Sequence, residues 1–155
     1  MPTQSVDTTS TNQQEATMTA DENAAVVRRG YEAFNAADVA ALIEIFHDSA
    51  VWHAPGRSHL AGDYQGRDAT LGYLGRLGQD TGGNFRAELL HLTADDEDCV
   101  VGVQRTVAER NGKRLDVGNC IVFQITDGRI AEVSEHFSDL YAWDEFWASK
   151  GTGSA

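Results

Sequence analysis

The segment NGKRLDVGNCIVFQITDGRIAEVSEHF, residues 111–137, decides the fold class. It contains two runs of alternating apolar and polar residues, each preceded by an Asn-Gly or an Asp-Gly pair. Such pairs accept the positive φ angles of two-residue β-turns, so they mark the tips of two β-hairpins. Two further runs of the same type lie upstream of the first pair. The sequence therefore predicts a meander of four antiparallel strands, at residues 85–92, 99–110, 113–126 and 129–137.

Helical patterns fill most of the chain before this meander. Thr19 or Asp21 can cap a first helix and Asp38 a second, because short polar side chains bond the free N–H groups of a helix start, and Asp68 begins a third. A short strand at 50–53 and a Gly-rich loop separate the second helix from the third. The second helix repeats apolar residues at i, i+3, i+4 and i+7, which predicts one buried face of Val39, Leu42, Ile43 and Phe46.

Three helices followed by a curled antiparallel sheet predict an α+β architecture in which the helices cover one face of the sheet. The 155 residues suit a single domain. We expect residues 1–20, rich in Ser, Thr and Gln, to form a disordered tail, residues 21–149 to form the domain and residues 150–155 to be flexible.

Charge and composition exclude several classes of function. The formal net charge of -12 would repel phosphate backbones, so nucleic acid is not an expected partner. No apolar run approaches the ~18 residues of a bilayer span, and residues 1–20 lack the features of a secretory signal. The expected location is the cytoplasm, without membrane association. The five histidines show no short metal-binding spacing, and we expect neither a metal nor a cofactor.

The end of the chain is unusually aromatic. A short helix that docks on a subunit partner and a helix that packs into the core both explain this composition, and the sequence does not choose between them. The residues concerned are Leu140, Tyr141, Trp143, Phe146 and Trp147.

Four polar residues interrupt apolar strand faces. Because strand side chains alternate between two faces, His53 shares a face with Val51, and the other three fall among apolar residues of later strands. If these faces line one concavity, the four converge on an apolar pocket, which makes them the candidate site: His53, Arg105, Asn119 and Glu135.

The chemistry that such a set allows is proton transfer. A desolvated imidazole or carboxylate has its pKa moved toward neutrality, as a general base requires, while Asn119 and Arg105 could donate hydrogen bonds to an oxyanion. Structural explanations remain open for each residue. His53 could be a hydrogen-bonded structural residue, Arg105 and Glu135 could form a buried ion pair, and Asn119 could satisfy a bulge or a backbone group.

The chain resembles the SnoaL-like branch of the nuclear transport factor 2 superfamily in four stretches. They are VWHAPGRS (51–58), LAGDYQGR (60–67), the run 114–137 and DEFW (144–147). The resemblance covers about residues 22–147. It implies an α+β cone around an apolar pocket, a small hydrophobic ligand and a homodimer. It leaves the activity open, because this cone hosts isomerases, cyclases, hydrolases, dehydratases and non-catalytic binding proteins.

Ketosteroid isomerases resemble this chain at the first strand. By a gapless comparison His53 occupies the position of their general-base aspartate, which implies that His53 is the base. The same comparison puts Gly30 at the position of their oxyanion-hole tyrosine, and Tyr31 is one residue away, about 100° around the helix. The resemblance therefore argues against the ketosteroid isomerase reaction itself.

Limonene epoxide hydrolases are similar in the last strand, where Glu135 falls near one of their acidic residues and Arg105 near their arginine. Val107 stands where their second acidic residue would fall, so their water-activating pair is incomplete. SnoaL-type cyclases, which use an acid/base residue without a cofactor, are the comparison least contradicted by these residues.

These observations favour a cofactor-independent acid/base enzyme, an isomerase, cyclase or dehydratase, that acts on a small hydrophobic carbonyl compound such as a polyketide, steroid or terpenoid. In this hypothesis His53 is the base, so His53→Ala should lower activity by at least ~100-fold. Glu135 would be a second acid/base, and Arg105 and Asn119 would hold the carbonyl oxygen. The alternatives are a non-catalytic small-molecule-binding module, an epoxide hydrolase-like activity, and an assembly role through the aromatic C-terminus.

Overall fold

The structure, a computed structural model, describes residues 19–148. Helix α1 (Ala20–Asn35) begins at Thr19, whose hydroxyl accepts a hydrogen bond from the Glu22 backbone N–H at 3.1 Å. The Glu22 carboxylate accepts one from the Thr19 N–H at 2.9 Å, which completes a capping box. The predicted cap at Thr19 is confirmed. The segments predicted to be a tail and a flexible end lie outside the described residues, except that the helix already begins at Ala20.

Helix α2 (Val39–Ile45) also begins where the sequence predicts. The Asp38 carboxylate accepts a hydrogen bond from the Ala41 backbone N–H at 3.1 Å. The predicted buried face is wrong in part, because Val39 is 59% exposed and Ile43 is 42% exposed. A seven-residue helix makes about two turns, so its inner side is set by where the chain enters the next strand. Leu42 and Ile45 fill that inner side.

A six-stranded sheet forms the other layer. Its strands are β1 (Phe46–Ala54), β2 (Gly62–Gln65), β3 (Arg86–Ala94), β4 (Cys99–Arg110), β5 (Lys113–Thr126) and β6 (Arg129–Phe137). They lie in the order β2-β1-β6-β5-β4-β3, and every neighbouring pair is antiparallel except β1 with β6, which is parallel. Helix α3 (Arg67–Asp80) connects β2 to the meander, and helix α4 (Leu140–Trp147) follows β6.

The meander agrees with its sequence pattern, including both hairpin turns. Asn111 and Gly112 have φ angles of 52° and 79°, and Asp127 and Gly128 have 54° and 74°. These positive angles match the right-handed strand twist at two-residue turns. The prediction of an α+β fold with helices on one side of a curled sheet is confirmed.

Two features of the first half differ from the prediction. Strand β1 runs over nine residues where only 50–53 were predicted, and the predicted loop contains strand β2, which pairs His53 with Asp63. The four-residue strand β2 forms because the loop folds back along β1. Its Gly-rich sequence carries no alternation that would indicate this pairing.

The terminal helix α4 packs into the core. The rings of Trp143 and Phe137 stack with centroids 4.3 Å apart, and Trp147 is fully buried. Asp144 accepts a hydrogen bond from the Arg57 backbone N–H at 2.9 Å, which ties the helix to the loop after β1. These contacts favour core packing for the aromatic C-terminus, although Tyr141 is exposed.

None of the helices between residues 19 and 148 combines the length and the apolar character that a membrane span needs.

Candidate functional site

The concave face of the sheet and the helices α1, α2 and α3 enclose a cavity. Its free volume is about 50 Å³. A water molecule needs roughly 10–15 Å³ of such space, so the cavity has room for a few waters. The lining is apolar apart from the polar groups of four residues: Tyr31, Trp52, Gln104 and Glu135.

Among the residues between 19 and 148 that line this cavity, Glu135 is the only carboxylate. Its position on β6 faces inward together with Val133, and only 6% of the residue is exposed. The indole N–H of Trp52 donates to its Oε1 at 2.7 Å, and the hydroxyl of Tyr73 donates to the same oxygen at 2.8 Å. No hydrogen bond to Oε2 is formed by any of the residues 19–148.

Burial changes the acidity of Glu135. Loss of hydration raises its pKa to about 7, because the charged form is disfavoured away from water. The hydrogen bonds from Trp52 and Tyr73 lower this pKa in part, since they stabilise the carboxylate. The group can therefore take up or release a proton near neutral pH, which suits a general acid or base. Burial also raises the pKa of the Tyr73 hydroxyl well above its usual value, with Glu135 as the next cause.

A chain of side-chain hydrogen bonds occupies the neighbouring part of the inner face. The Tyr31 hydroxyl donates to Gln104 Oε1 at 2.5 Å, and Gln104 Nε2 donates to Thr106 Oγ1 at 2.9 Å. The Thr106 hydroxyl then donates to Asn119 Oδ1 at 2.8 Å. All four residues are buried, and Asn119 Nδ2 has no hydrogen-bond partner among the described residues.

Tyr31 connects this chain to the cavity. Burial raises the pKa of its hydroxyl, and the negative charge of Glu135 raises it further. The hydroxyl lies above Gly102, where an added Cβ would stand 2.7 Å from Tyr31 Oη. The absence of a side chain at Gly102 therefore provides the space in which the phenol sits.

His53 does not reach the cavity. Its ring lies on the outer face of the sheet, 34% exposed, with Nδ1 2.7 Å from Asp63 and Nε2 2.7 Å from Glu132. Hydrogen bonds to Asp63 and then Glu132 raise the pKa of the imidazole. The inward residue of β1 is its neighbour Trp52. The predicted convergence is wrong for His53, and the bonds to two carboxylates agree with the structural alternative.

Arg105 also lies on the outer face. It is 47% exposed and makes a bidentate ion pair with Asp116, at 2.9 Å from Nε and 2.7 Å from Nη2. This pair raises the pKa of the guanidinium and lowers that of the Asp116 carboxyl. The predicted position of Arg105 at the cavity and the alternative ion pair with Glu135 are therefore both wrong.

Asn119 and Glu135 are the two predicted residues that the inner face brings together. Glu135 lines the cavity, whereas Asn119 stands behind it and bonds Thr106 rather than a bulge or the backbone. The sequence reasoning missed the remaining polar residues: Tyr31, Trp52, Tyr73, Gln104 and Thr106.

The wrong choice of face in β4 explains several of these misses. The valines Val101, Val103 and Val107 suggested that their face was the inner one, but they are only half-buried on the outer face. The inner face of β4 instead carries the polar residues Gln104 and Thr106. The sequence did contain a signal for this face, because Gln104 and Thr106 share it with the small or apolar residues Val100, Gly102 and Ala108.

Within residues 19–148 no group of three or more His, Cys, Asp and Glu side chains is placed to hold a metal ion.

Comparison with known proteins shows relatives along most of the chain. The SnoaL-like domain model matches residues 27–133. The uncharacterized protein Rv0034 of Mycobacterium tuberculosis (strain ATCC 25618 / H37Rv) is 33% identical over 131 residues, which cover 84% of this chain and 100% of that protein. The structure of Bal32a, from a soil-derived mobile gene cassette, is 55% identical with a TM-score of 0.82 and covers 83% of this chain and 98% of Bal32a.

More distant structures share the fold. An NTF2-like protein from Burkholderia xenovorans LB400 has a TM-score of 0.72 at 17% identity, over 84% of this chain and 98% of its own. A proposed SnoaL-like polyketide cyclase from Jannaschia sp. CCS1 has a TM-score of 0.69 at 15% identity, over 84% and 94%. The fold is therefore the NTF2-like cone, and the chain belongs to the SnoaL-like domain family.

Proposed function

We propose that this protein is a cofactor-independent acid/base enzyme of the isomerase or cyclase type, with Glu135 as the proton-transferring group. The observation that carries the proposal is a buried carboxyl, with a pKa of about 7, facing a mostly apolar cavity. The likeness to a proposed SnoaL-like polyketide cyclase supports the same class of reaction. The substrate class that fits is a small hydrophobic molecule with a carbonyl group.

The chemistry requires little beyond this carboxyl. The ionised Glu135 removes a proton from the carbon next to a carbonyl group, and the electron pair moves onto the carbonyl oxygen as an enolate. The protonated carboxyl then returns the proton to another carbon in an isomerisation, or to the alkoxide formed when the enolate carbon closes a ring. In both cases Glu135 ends the cycle as it began. Trp52 and Tyr73 hold Oε1, so we assign the transfer to Oε2.

The size of the cavity limits how a substrate is bound. Sites for drug-sized ligands usually enclose about 300–1,000 Å³, whereas the free volume of this cavity is about 50 Å³. The reacting carbon and its carbonyl group would occupy the centre beside Glu135. The remaining hydrocarbon would extend out of the cavity toward solvent.

The decisive experiment compares three proteins against a panel of steroids, terpenoid epoxides and aromatic polyketides. Wild type, Glu135→Gln and His53→Ala are screened by thermal shift, and products are analysed for every compound that binds. We expect Glu135→Gln to bind but to convert its ligand at least ~100-fold more slowly, and His53→Ala to retain activity. Loss of activity in His53→Ala alone would instead support His53 as the base.

A non-catalytic binding module is the main alternative, and the same screen separates it. Ligands that stabilise wild type and Glu135→Gln equally, with no product from either, would favour binding without turnover.

We also propose that the protein is a cytoplasmic homodimer. The half-buried Val101, Val103 and Val122 lie together on the outer face, and Val101 pairs with Val122 in the sheet. A second copy would cover this apolar surface. Sedimentation analysis should give the dimer mass for wild type and the monomer mass for Val103→Glu, and a monomeric wild type would contradict the dimer.

A further inference from the structure

The hydrogen-bond chain behind the cavity has a direction, and the distances set it. The contact between the oxygen of Tyr31 and the side-chain amide of Gln104 measures 2.5 Å. Hydrogen bonds between two oxygens span 2.5–3.0 Å, whereas N–H···O bonds begin at about 2.7 Å. The Gln104 atom that faces Tyr31 is therefore its oxygen, and the phenol proton points toward Gln104.

The remaining bonds follow from this first one. With Oε1 turned to Tyr31, Gln104 presents Nε2 to Thr106, and their 2.9 Å separation is typical of an N–H···O bond. Thr106 Oγ1 accepts that bond, so its own proton goes to Asn119 Oδ1 at 2.8 Å. Each hydrogen bond of the chain therefore runs in one direction, from Tyr31 toward Asn119.

The unpaired amide nitrogen of Asn119 is a consequence of this direction. Buried amide groups normally find partners, yet Asn119 Nδ2 has none among the described residues. Rotation of the Asn119 amide would place its nitrogen against Thr106, but the Thr106 proton would then have no acceptor. The unpaired group at the far end is therefore the cost of orienting the Tyr31 hydroxyl.

At the cavity end the phenol oxygen of Tyr31 offers lone pairs and no proton. The ionised Glu135 likewise only accepts hydrogen bonds, and the Trp52 indole N–H already donates to it. Tyr31 and Glu135 therefore favour a ligand that brings its own donor. Gly102 contributes by leaving the space that Tyr31 Oη occupies.

We propose that Tyr31 determines specificity by accepting a hydrogen bond from a hydroxyl group of the ligand, so that the site prefers enolic or phenolic compounds over carbonyl compounds without a hydroxyl. The proposal rests on the acid/base function of Glu135 in one respect, because it narrows the substrate class of that reaction. Thr106 and Asn119 are positioning residues, since they act on the ligand only through Gln104 and Tyr31.

The direction of the chain can be tested on the protein without a ligand. In ¹⁵N-edited NOE spectra of wild type, we expect the Gln104 amide protons to show strong contacts to Thr106 and weak ones to the Tyr31 ring. Strong contacts of those protons to Tyr31 would mean that Gln104 donates to the phenol, and would overturn the proposal. This measurement does not depend on any variant folding.

The ligand preference is tested with two matched probes, 2-naphthol and 2-methoxynaphthalene, by calorimetric titration. One good hydrogen bond in a buried site corresponds to about a tenfold difference in Kd, so we expect wild type to bind 2-naphthol about tenfold more tightly. Tyr31→Phe should abolish the difference. Gly118→Ala is the matched control, because its added Cβ would make only ordinary contacts, at 3.6 Å from Ser138.

Equal affinities in wild type, or no binding of 2-naphthol, would refute the assigned ligand class. The outcome is separable from that of the proposed enzyme. A preference for 2-naphthol without conversion of any panel compound would refute the proposed enzymatic activity and leave the role of Tyr31 intact. Conversion that depends on Glu135, without a preference for 2-naphthol, would refute only the role of Tyr31.

Discussion

Replacing Glu135 by Gln should change how the stability of the protein depends on pH. Gln keeps a side-chain oxygen that can accept the bonds from Trp52 and Tyr73, but it cannot ionise. In the folded wild type the Glu135 pKa is about 7, against its usual value of 4.5. Between these pH values the folded carboxyl keeps a proton that the unfolded one has lost. The folded state thus binds more protons, and the free energy of unfolding falls as pH rises.

The size of the effect follows from these two values. A tenfold change in an equilibrium constant corresponds to about 1.36 kcal/mol, so moving the pKa from 4.5 to about 7 costs the ionised folded state about 3 kcal/mol. The cost is absent below pH 4.5 and complete above about pH 7. We therefore expect Glu135→Gln to gain about 3 kcal/mol of stability relative to wild type between pH 4.5 and pH 8.

Urea unfolding of both proteins at half-unit pH steps from 4.5 to 8 measures this difference. Glu32→Gln, at an exposed carboxylate of α1, is the control and should follow wild type. A stability difference between wild type and Glu135→Gln that stays constant across this range would refute the argument. It would mean that Glu135 ionises in the folded protein as it does in the unfolded chain.

Three other predictions follow from the contacts described. Trp52→Phe removes one donor to the carboxylate and should raise the Glu135 pKa further, seen by ¹³C NMR as a higher titration midpoint; an unchanged midpoint would contradict the role of the indole. His53 should titrate above its usual 6.5 because of its carboxylate neighbours, and Asp63→Asn should lower the midpoint in ¹H–¹⁵N spectra, whereas equal midpoints would show that the bond contributes little. Gly30→Ala should stabilise the helix by about 1 kcal/mol in urea unfolding, because the new Cβ meets only ordinary contacts. The same Cβ should weaken ligand binding by filling part of the cavity, and unchanged Kd values would place the ligand elsewhere.

The contribution of His53 to the free energy of unfolding should also fall as pH rises, as it does for Glu135, but from a higher starting pH. A raised pKa of the imidazole means that the folded state holds its proton more tightly than the unfolded chain. This contribution is fully present below pH 6.5 and is lost as pH rises through the folded value. The side chain is 34% exposed, so solvent screening keeps the contribution small.

Much of the fold was predictable because its signals are local. The Asn-Gly and Asp-Gly pairs set the hairpins of the meander, and Thr19 and Asp38 cap helices through bonds to residues three positions ahead. Strand β2 was missed because four residues in a Gly-rich loop carry no alternation. Its pairing with β1 depends on how the loop returns.

The candidate site was predicted only in part. Alternation correctly separates Glu135 from His136, and Trp52 from His53, since neighbouring strand residues face opposite sides. The alternation pattern does not indicate which of the two faces points toward the cavity. The choice was right for β5 and β6, where the inner face is the more apolar one. It was wrong for β1, where Trp52 and not His53 faces inward, and for β4, where half-buried valines cover the outer face.

The sequence by itself determined the strand and helix order, the turns and the sets of residues that share a face, because these depend on contacts within a few positions of the chain. Only the tertiary structure decided which set faces the cavity. That choice depends on the curvature of the whole sheet and on where three helices cover it, which brings Trp52, Tyr73 and Glu135 together across 83 positions of sequence. The same packing buries Glu135, and burial rather than residue type sets its acidity.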